Sequence, residues 1–196
     1  TNTTTNGVDS LELQVEKLFG ELDSLPLSIS CQKGNIEVRT RFSGDCMVSV
    51  AEAKRVDCHP REFRHFLENF SEAFPQVNPL AKNVIPLEGD ANRQAVKSVL
   101  NFPFPLSNRI MVHWKYLLLD RSPDEHMLIV SEEGNEDILA KYLNADEKDK
   151  YVLARTFLCV YWIKPIREAE RIVGSTVRYA FSGDTGGSSP AFIQNT

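Results

Sequence analysis

The feature that most restricts the fold is a series of strand-like segments that fills most of the chain after residue 26. The clearest is Ile36–Phe42, where β-branched and aromatic residues alternate with charged residues. A period of two predicts a strand with one buried and one wet face. Turn sequences with a central glycine, Lys33–Asn35 and Ser43–Asp45, flank this segment. Short strands joined by such turns predict an antiparallel sheet.

The segments that do not follow this alternation predict helices placed near the two ends of the chain. Apolar residues at spacings of three and four predict a helix from Asp9 to Pro26, and Pro60 begins a short helix with an aromatic face. Pro190 begins a final helix, and Pro75–Pro86 has three prolines and is predicted to be irregular. The other predicted strands are Leu27–Cys31, Cys46–Val56, Arg93–Leu100, Asn108–Leu119, His126–Glu132, Val152–Ile163 and Ser175–Phe181. Strands in a run, with helices segregated from them, predict an α+β fold.

Length and composition indicate one globular domain. The chain has 196 residues, of which 42% are apolar and 25% charged, so it can bury a core. We predict a disordered leader over 1–8 and a single domain over 9–196. The net charge is −5 and no run of five basic residues occurs, which argues against nucleic acid as a partner. The longest apolar stretch, Val152–Ile163, is shorter than the roughly 20 residues that span a bilayer.

The four cysteines lie far apart, without CxxC or His-paired spacing. They predict neither a disulfide framework nor a metal site, and we expect free thiols in a reducing compartment and no cofactor. We therefore expect a cytoplasmic protein. Because the sequence begins at Thr1 without a methionine, removal of a targeting signal stays open as an alternative.

Three motifs, in the same order along the chain, resemble those of the START (steroidogenic-acute-regulatory-protein-related lipid transfer) family. Asn101–Arg109 resembles its Pro-x-Ser-Asn-Arg-Asp segment, and Cys159–Pro165 its Gly-Tyr-Val-Ile-Lys-Pro strand. Asp184–Pro190 resembles its Asp-x-Gly-Gly-x-x-Pro turn into the last helix. The resemblance implies a helix-grip fold, in which a curved antiparallel sheet surrounds a C-terminal helix and a tunnel between them holds one lipid.

The resemblance also assigns residues to structural roles. Arg109 corresponds to the motif arginine, for which we expect a salt bridge at the start of its strand. Asp184, Gly186, Gly187 and Pro190 correspond to the turn. The family's last helix runs for about 20 residues beyond its proline. Since this sequence ends at Thr196, we expect either a truncated helix or a lid that is swapped, disordered or supplied by a partner.

One face of the strand Asn108–Leu119 has the candidate ligand-binding residues. Alternation places Met111, His113, Lys115 and Leu117 on that face. Alternation alone does not say which face is inside, and a rim lysine beside a hydrogen-bonded histidine is the structural alternative. The family resemblance implies that this face lines the tunnel together with Ser98, and that Lys115 is its basic residue.

The type of lipid follows from a departure from the family pattern. Family members that bind phosphatidylcholine have an Arg-x-x-Trp-Asp run, whose arginine contacts the phosphate. The matching stretch Ser71–Leu80 has no arginine, lysine, tryptophan or aspartate. We therefore expect a neutral ligand such as a sterol or carotenoid rather than a phospholipid. The expected function is non-catalytic binding and transport of one small apolar lipid, with transient membrane contact.

Two other functions stay open. One is a helix-grip enzyme that acts on a ligand in the tunnel, with His113 as general base, although no GxSxG, HExxH or phosphate-binding glycine loop is present. The other is a ligand-sensing module that docks a protein partner through segment 124–149. That segment has nine acidic residues and two lysines.

Overall fold

The computed structural model describes residues 3–24, 28–43, 46–122, 124–132 and 136–186. Within these ranges the helices are α1 (Thr3–Ser24), α2 (Pro60–Glu68), α3 (Phe70–Val77), α4 (Glu136–Tyr142) and α5 (Ala145–Lys150). The strands are β1 (Ser28–Lys33), β2 (Ile36–Ser43), β3 (Cys46–Val56), β4 (Ala81–Gly89), β5 (Arg93–Leu100), β6 (Arg109–Ser122), β7 (Glu125–Ser131), β8 (Val152–Leu153), β9 (Arg155–Glu168) and β10 (Arg171–Asp184).

All ten of these strands belong to one sheet, in the order β1-β2-β3-β10-β9-β7-β6-β5-β4. Neighbouring strands along this path are antiparallel, and β8 lies off the path and pairs with β6 in parallel. The first three strands join the last strand, because β3 pairs with β10. The predicted α+β fold with an antiparallel sheet is confirmed.

Helix α1 covers one face of the sheet. Its apolar residues at spacings of three and four form a stripe, as the sequence predicts. They pack against buried sheet residues from six strands, among them Val50, Val112 and Ala180. The buried members of the stripe are Leu11, Val15, Phe19 and Leu22. Burying a side chain of this size contributes about 1.5–3 kcal/mol, so this face is a principal core of the domain.

Helices α2 and α3 cover part of the opposite face. Helix α2 has Pro60 at its first position and a capping box between His59 and Glu62, which fixes where it starts. The two helices present Leu67 and Phe70 to the sheet. Phe70 stacks on Phe74 with ring centroids 4.8 Å apart. This second core lies beside the site described below.

Two sequence predictions need correction. Helix α1 begins at Thr3 rather than Asp9, so residues 3–8 of the predicted leader are helical. Extending a formed helix fixes one residue per hydrogen bond, which even poor helix formers tolerate. Part of the predicted irregular stretch Pro75–Pro86 is strand β4, in which Pro86 is tolerated because β4 is an edge strand.

The predicted final helix from Pro190, with its expected truncation at Thr196, lies outside the described residues, as does Gly187. None of the described helices is both long and apolar enough to cross a membrane.

Candidate functional site

A cavity of about 230 Å³ lies between the α2–α3 face of the sheet and helix α3. Its walls come from β3, β5, β6, β7, β9, β10 and α3, together with the loop between β5 and β6. Most of the wall is apolar or aromatic. Wall residues of this kind include Phe70, Phe74, Leu80, Leu100, Phe102, Met111, Val130, Cys159, Tyr161 and Phe181.

Strand register brings three of the predicted site residues together. In the β5–β6 pair, Ser98 is opposite Met111 and Val96 is opposite His113. Side chains at every second position share a face, so Ser98, Met111 and His113 all reach the same cavity wall. The family resemblance implies that this face of β6 lines the tunnel. At Met111 and His113 the same face lines the cavity.

His113 is the most unusual polar group on the wall. It is only 4% exposed, and its Nδ1 atom has no hydrogen-bond partner among the described residues. Burial lowers the pKa of His113 to about 4, because the cationic imidazolium is poorly solvated there. The side chain is therefore neutral at physiological pH.

The structure places Lys115 and Leu117 on the same sheet face but further along the strand, and neither is among the described residues that line the cavity. Leu117 packs with Leu67 and Phe70, where the helices lie on the sheet. Lys115 is 4% exposed, and burial lowers its pKa. The helices thus close the cavity just beyond His113.

Arg109 joins two of the sequence motifs at the edge of the cavity. Its guanidinium donates hydrogen bonds to the carbonyl oxygens of Thr185 at 2.7 Å and Gly186 at 3.2 Å, and also to that of Ser107. It lies over the ring of Phe102 at 5.1 Å. Arg109 therefore fixes the start of β6 to the turn after β10 through backbone carbonyls, rather than through the expected salt bridge.

The turn itself is fixed by Asp184 and Gly186. Asp184 Oδ1 accepts a hydrogen bond of 2.7 Å from the Gly186 amide, and Gly186 has a φ of +70°. A Cβ atom at Gly186 would overlap the carbonyl oxygen of Leu153. Glycine is thus required both by the conformation and by the close approach of the backbone.

Several wall residues were not identified from the sequence. Cys159 and Tyr161 alternate along β9, and Thr156 donates a hydrogen bond of 3.4 Å to Met111 Sδ. Phe70 and Phe74 both come from α3. The aromatic spacing after Pro60 predicts an apolar helix face, but only the tertiary structure shows that the face meets a cavity. Burial raises the pKa of Cys159 to about 12, so its thiol is protonated.

The two arginines on the cavity wall are both engaged by the protein. Arg109 donates hydrogen bonds to carbonyl groups, as described above. Arg155 forms a bidentate ion pair with Glu132, with its Nη2 and Nε atoms 2.6 and 2.9 Å from the carboxylate oxygens. These contacts occupy some of the guanidinium donors that would otherwise bind a phosphate. In the described part of the chain, the wall therefore offers no arginine that lacks a partner.

Acidic residues of segment 124–149 likewise form ion pairs within the domain. Asp124 pairs with Arg61 at 2.8 Å, and Glu147 pairs with Lys97 at 2.8 Å. Each of these contacts reduces the number of acidic groups that remain for an external partner.

Comparison with solved structures identifies the architecture. Human StAR-related lipid transfer protein 5 gives a TM-score of 0.71 at 11% identity, over 97% of this chain and 88% of that protein. The human StarD13 (DLC2) lipid transfer and protein localization domain gives 0.64 at 16% identity, over 98% of this chain and 87% of that one. This chain has the START helix-grip fold.

A third START structure, human STARD10, gives a TM-score of 0.66 at 13% identity. The match covers 86% of this chain but 65% of STARD10, so the chain spans less than two thirds of that protein. No protein-family model and no curated protein matches the sequence. At these identities the likeness establishes the START fold, and the function has to be argued from the cavity.

Proposed function

We propose that this START-fold domain carries one neutral, largely apolar lipid, such as a sterol or a carotenoid, in the cavity beside α3. The observation that carries the proposal is the wall itself, which is mostly apolar and whose two arginines are already paired. Burying each ligand CH₂ in such a site contributes about 0.8 kcal/mol, which is enough to draw a poorly soluble molecule out of a membrane. The solved START structures, named as lipid transfer proteins, support the same role.

The paired arginines also favour a neutral ligand over a phospholipid. A phosphate buried in an apolar cavity needs charge-assisted donors, and each unpaired charge in such a site costs several kcal/mol. To bind a phosphate through the donors that are already paired, Arg155 would have to leave Glu132, or Arg109 would have to release the turn at Thr185 and Gly186. Either change would leave buried or half-buried acceptors without partners.

We further propose that the protein acts without chemistry on its ligand. A general base works best with a pKa near the working pH, and burial lowers the pKa of His113 to about 4. A neutral imidazole with so low a proton affinity is a weak base at pH 7. The pairing of Asp124 and Glu147 within the domain gives the docking alternative no specific support.

To take up a lipid from a membrane, the protein must contact the membrane transiently. The loop between β5 and β6 is suited to this contact. Phe104 in this loop is 97% exposed, and the neighbouring Phe102 lies on the cavity wall. An apolar side chain exposed beside the cavity can enter the interfacial region of a bilayer, where apolar surface is more stable than in water.

The test is uptake of radiolabelled cholesterol and, separately, phosphatidylcholine from vesicles by the full chain. We expect uptake of cholesterol at one molecule per protein and much less uptake of phosphatidylcholine. Ser98→Phe adds a ring on the cavity wall and should abolish uptake, whereas Ser122→Phe, at an exposed strand end, should not. Circular dichroism checks that both variants are folded.

Uptake of neither lipid by the wild type would contradict the proposal, as would equal uptake by the two variants. Preferential uptake of phosphatidylcholine would retain the carrier function but refute the argument from the paired arginines.

A further inference from the structure

The buried imidazole of His113 has a ring nitrogen that the described residues leave without a hydrogen bond. Its Nδ1 atom has no partner among the described residues, although the side chain is 4% exposed. A buried polar atom without a hydrogen bond destabilises the folded protein. An apolar side chain of the same shape would avoid this cost. A group in the cavity that bonds to the ring would therefore stabilise the folded protein.

Ser98 supplies a second polar group next to this ring. It is opposite Met111, which is two residues from His113 on the same strand face. Diagonal neighbours of this kind have Cβ atoms about 7–8 Å apart, so one small group between them can contact both side chains. Ser98 is also buried and lies on the cavity wall. Together they form a polar patch on an otherwise apolar part of the wall.

We propose that this patch binds a hydroxyl group, so that the ligand is an apolar alcohol with its hydroxyl at His113 and Ser98. The proposal rests on the proposed lipid-carrying function and specifies its ligand class. A hydroxyl donates one hydrogen bond and accepts others, so it satisfies the imidazole in either neutral tautomer. Because the pKa of His113 is about 4, the ring has no positive charge with which to attract a carboxylate or phosphate.

An ether of the same alcohol provides the sharpest comparison. It has the same apolar body and an acceptor oxygen, but it has lost the donor and gained a methyl group at the polar end. If the ring accepts the ligand's hydrogen bond, the ether leaves the nitrogen unpaired and also crowds Ser98. We expect the wild type to bind the alcohol about tenfold more tightly than the ether, which corresponds to about 1.4 kcal/mol.

The experiment measures the dissociation constants of two such pairs for the full chain. The probes are cholesterol with its methyl ether, and dodecan-1-ol with its methyl ether, so that both a ring system and a simple chain are represented. The variants are His113→Phe, which keeps the ring size and removes both nitrogens, and the control His65→Phe, at an exposed position of α2. The thermal midpoint of each ligand-free protein is measured as well.

The two variants should behave differently. We expect His113→Phe to show a much smaller preference for the alcohol over the ether than the wild type, because only the contact with Ser98 remains. Its ligand-free form should unfold at a higher temperature than the wild type, because it buries no unpaired nitrogen. His65→Phe should keep the preference for the alcohol.

Equal binding of alcohol and ether by the wild type, or an undiminished preference in His113→Phe, would overturn the hydroxyl assignment while leaving the carrier function intact. A lower thermal midpoint for ligand-free His113→Phe would overturn it as well, because an internal water or side chain would then be satisfying the ring. Failure of the wild type to bind any of the four probes would overturn the carrier function and the hydroxyl assignment together.

Discussion

Gly186 and Gly34 both have a positive φ, but they lie in very different surroundings. Their φ angles are +70° and +61°, both in the left-handed region. A Cβ atom at Gly34 would meet nothing within 4 Å. At Gly186 it would overlap the Leu153 carbonyl oxygen and lie 2.9 Å from Val152 Cγ1. The two alanine variants therefore separate the cost of conformation from the cost of crowding.

The magnitudes follow from these two costs. An L-residue in the left-handed region costs about 1–2 kcal/mol, so Gly34→Ala should lower the free energy of unfolding by about that amount. Gly186→Ala has the same conformational cost. It also forces the turn away from Leu153, and overpacking of this kind adds about 1–3 kcal/mol to the cost. We expect Gly186→Ala to lower the free energy of unfolding by about 2–5 kcal/mol.

Urea denaturation followed by tryptophan fluorescence measures both values, with Trp114 and Trp162 as probes within the sheet. Displacing Gly186 also disturbs the carbonyl groups bonded to Arg109, so Gly186→Ala should weaken lipid uptake while Gly34→Ala should not. Equal destabilisation by the two substitutions would refute the view that the turn after β10 packs tightly against Leu153.

Three further predictions concern stability. Gly20→Ala, at an exposed interior position of α1 with open space around the added Cβ, should raise the free energy of unfolding by about 0.5–1 kcal/mol in urea denaturation; a loss would contradict the helix boundaries. Arg109→Met leaves three carbonyl acceptors without their donor and should cost about 2–4 kcal/mol by the same method, whereas an unchanged midpoint would show that water replaces the guanidinium. Because the pKa of His113 is lowered to about 4, the unfolded chain binds a proton that the folded chain does not bind between about pH 6.5 and 4. The wild type should therefore lose about 3 kcal/mol as the pH falls through this window, and His113→Phe should not show that loss in a pH series of urea midpoints.

The strands and their two faces could be predicted because each signal is local. Alternation in β6 separates Met111 and His113 from their neighbours, and the structure keeps that division. Strand β4 was missed because prolines normally exclude a strand, and only its position at the sheet edge makes Pro86 acceptable. Edge position is a property of the whole sheet and is not visible within the segment.

The extent of the cavity is likewise a tertiary property. Lys115 and Leu117 share a face with His113, but α2 and α3 lie on the sheet at Leu117 and end the cavity before it. The role of Arg109 shows the same limit. Its motif predicts a structural contact but not the partner. The partner is a pair of carbonyl groups 76 and 77 residues later in the chain. These groups come close to Arg109 only because β10 pairs with β9.

The central claim is that the domain holds one neutral lipid in the cavity beside α3. Native mass spectrometry of the purified full chain, followed by organic extraction and identification of the released molecule, tests this most directly. We expect one molecule per protein, uncharged and chemically unaltered, and its loss from Ser98→Phe. A stoichiometric phospholipid, or a molecule retained by Ser98→Phe, would contradict the account.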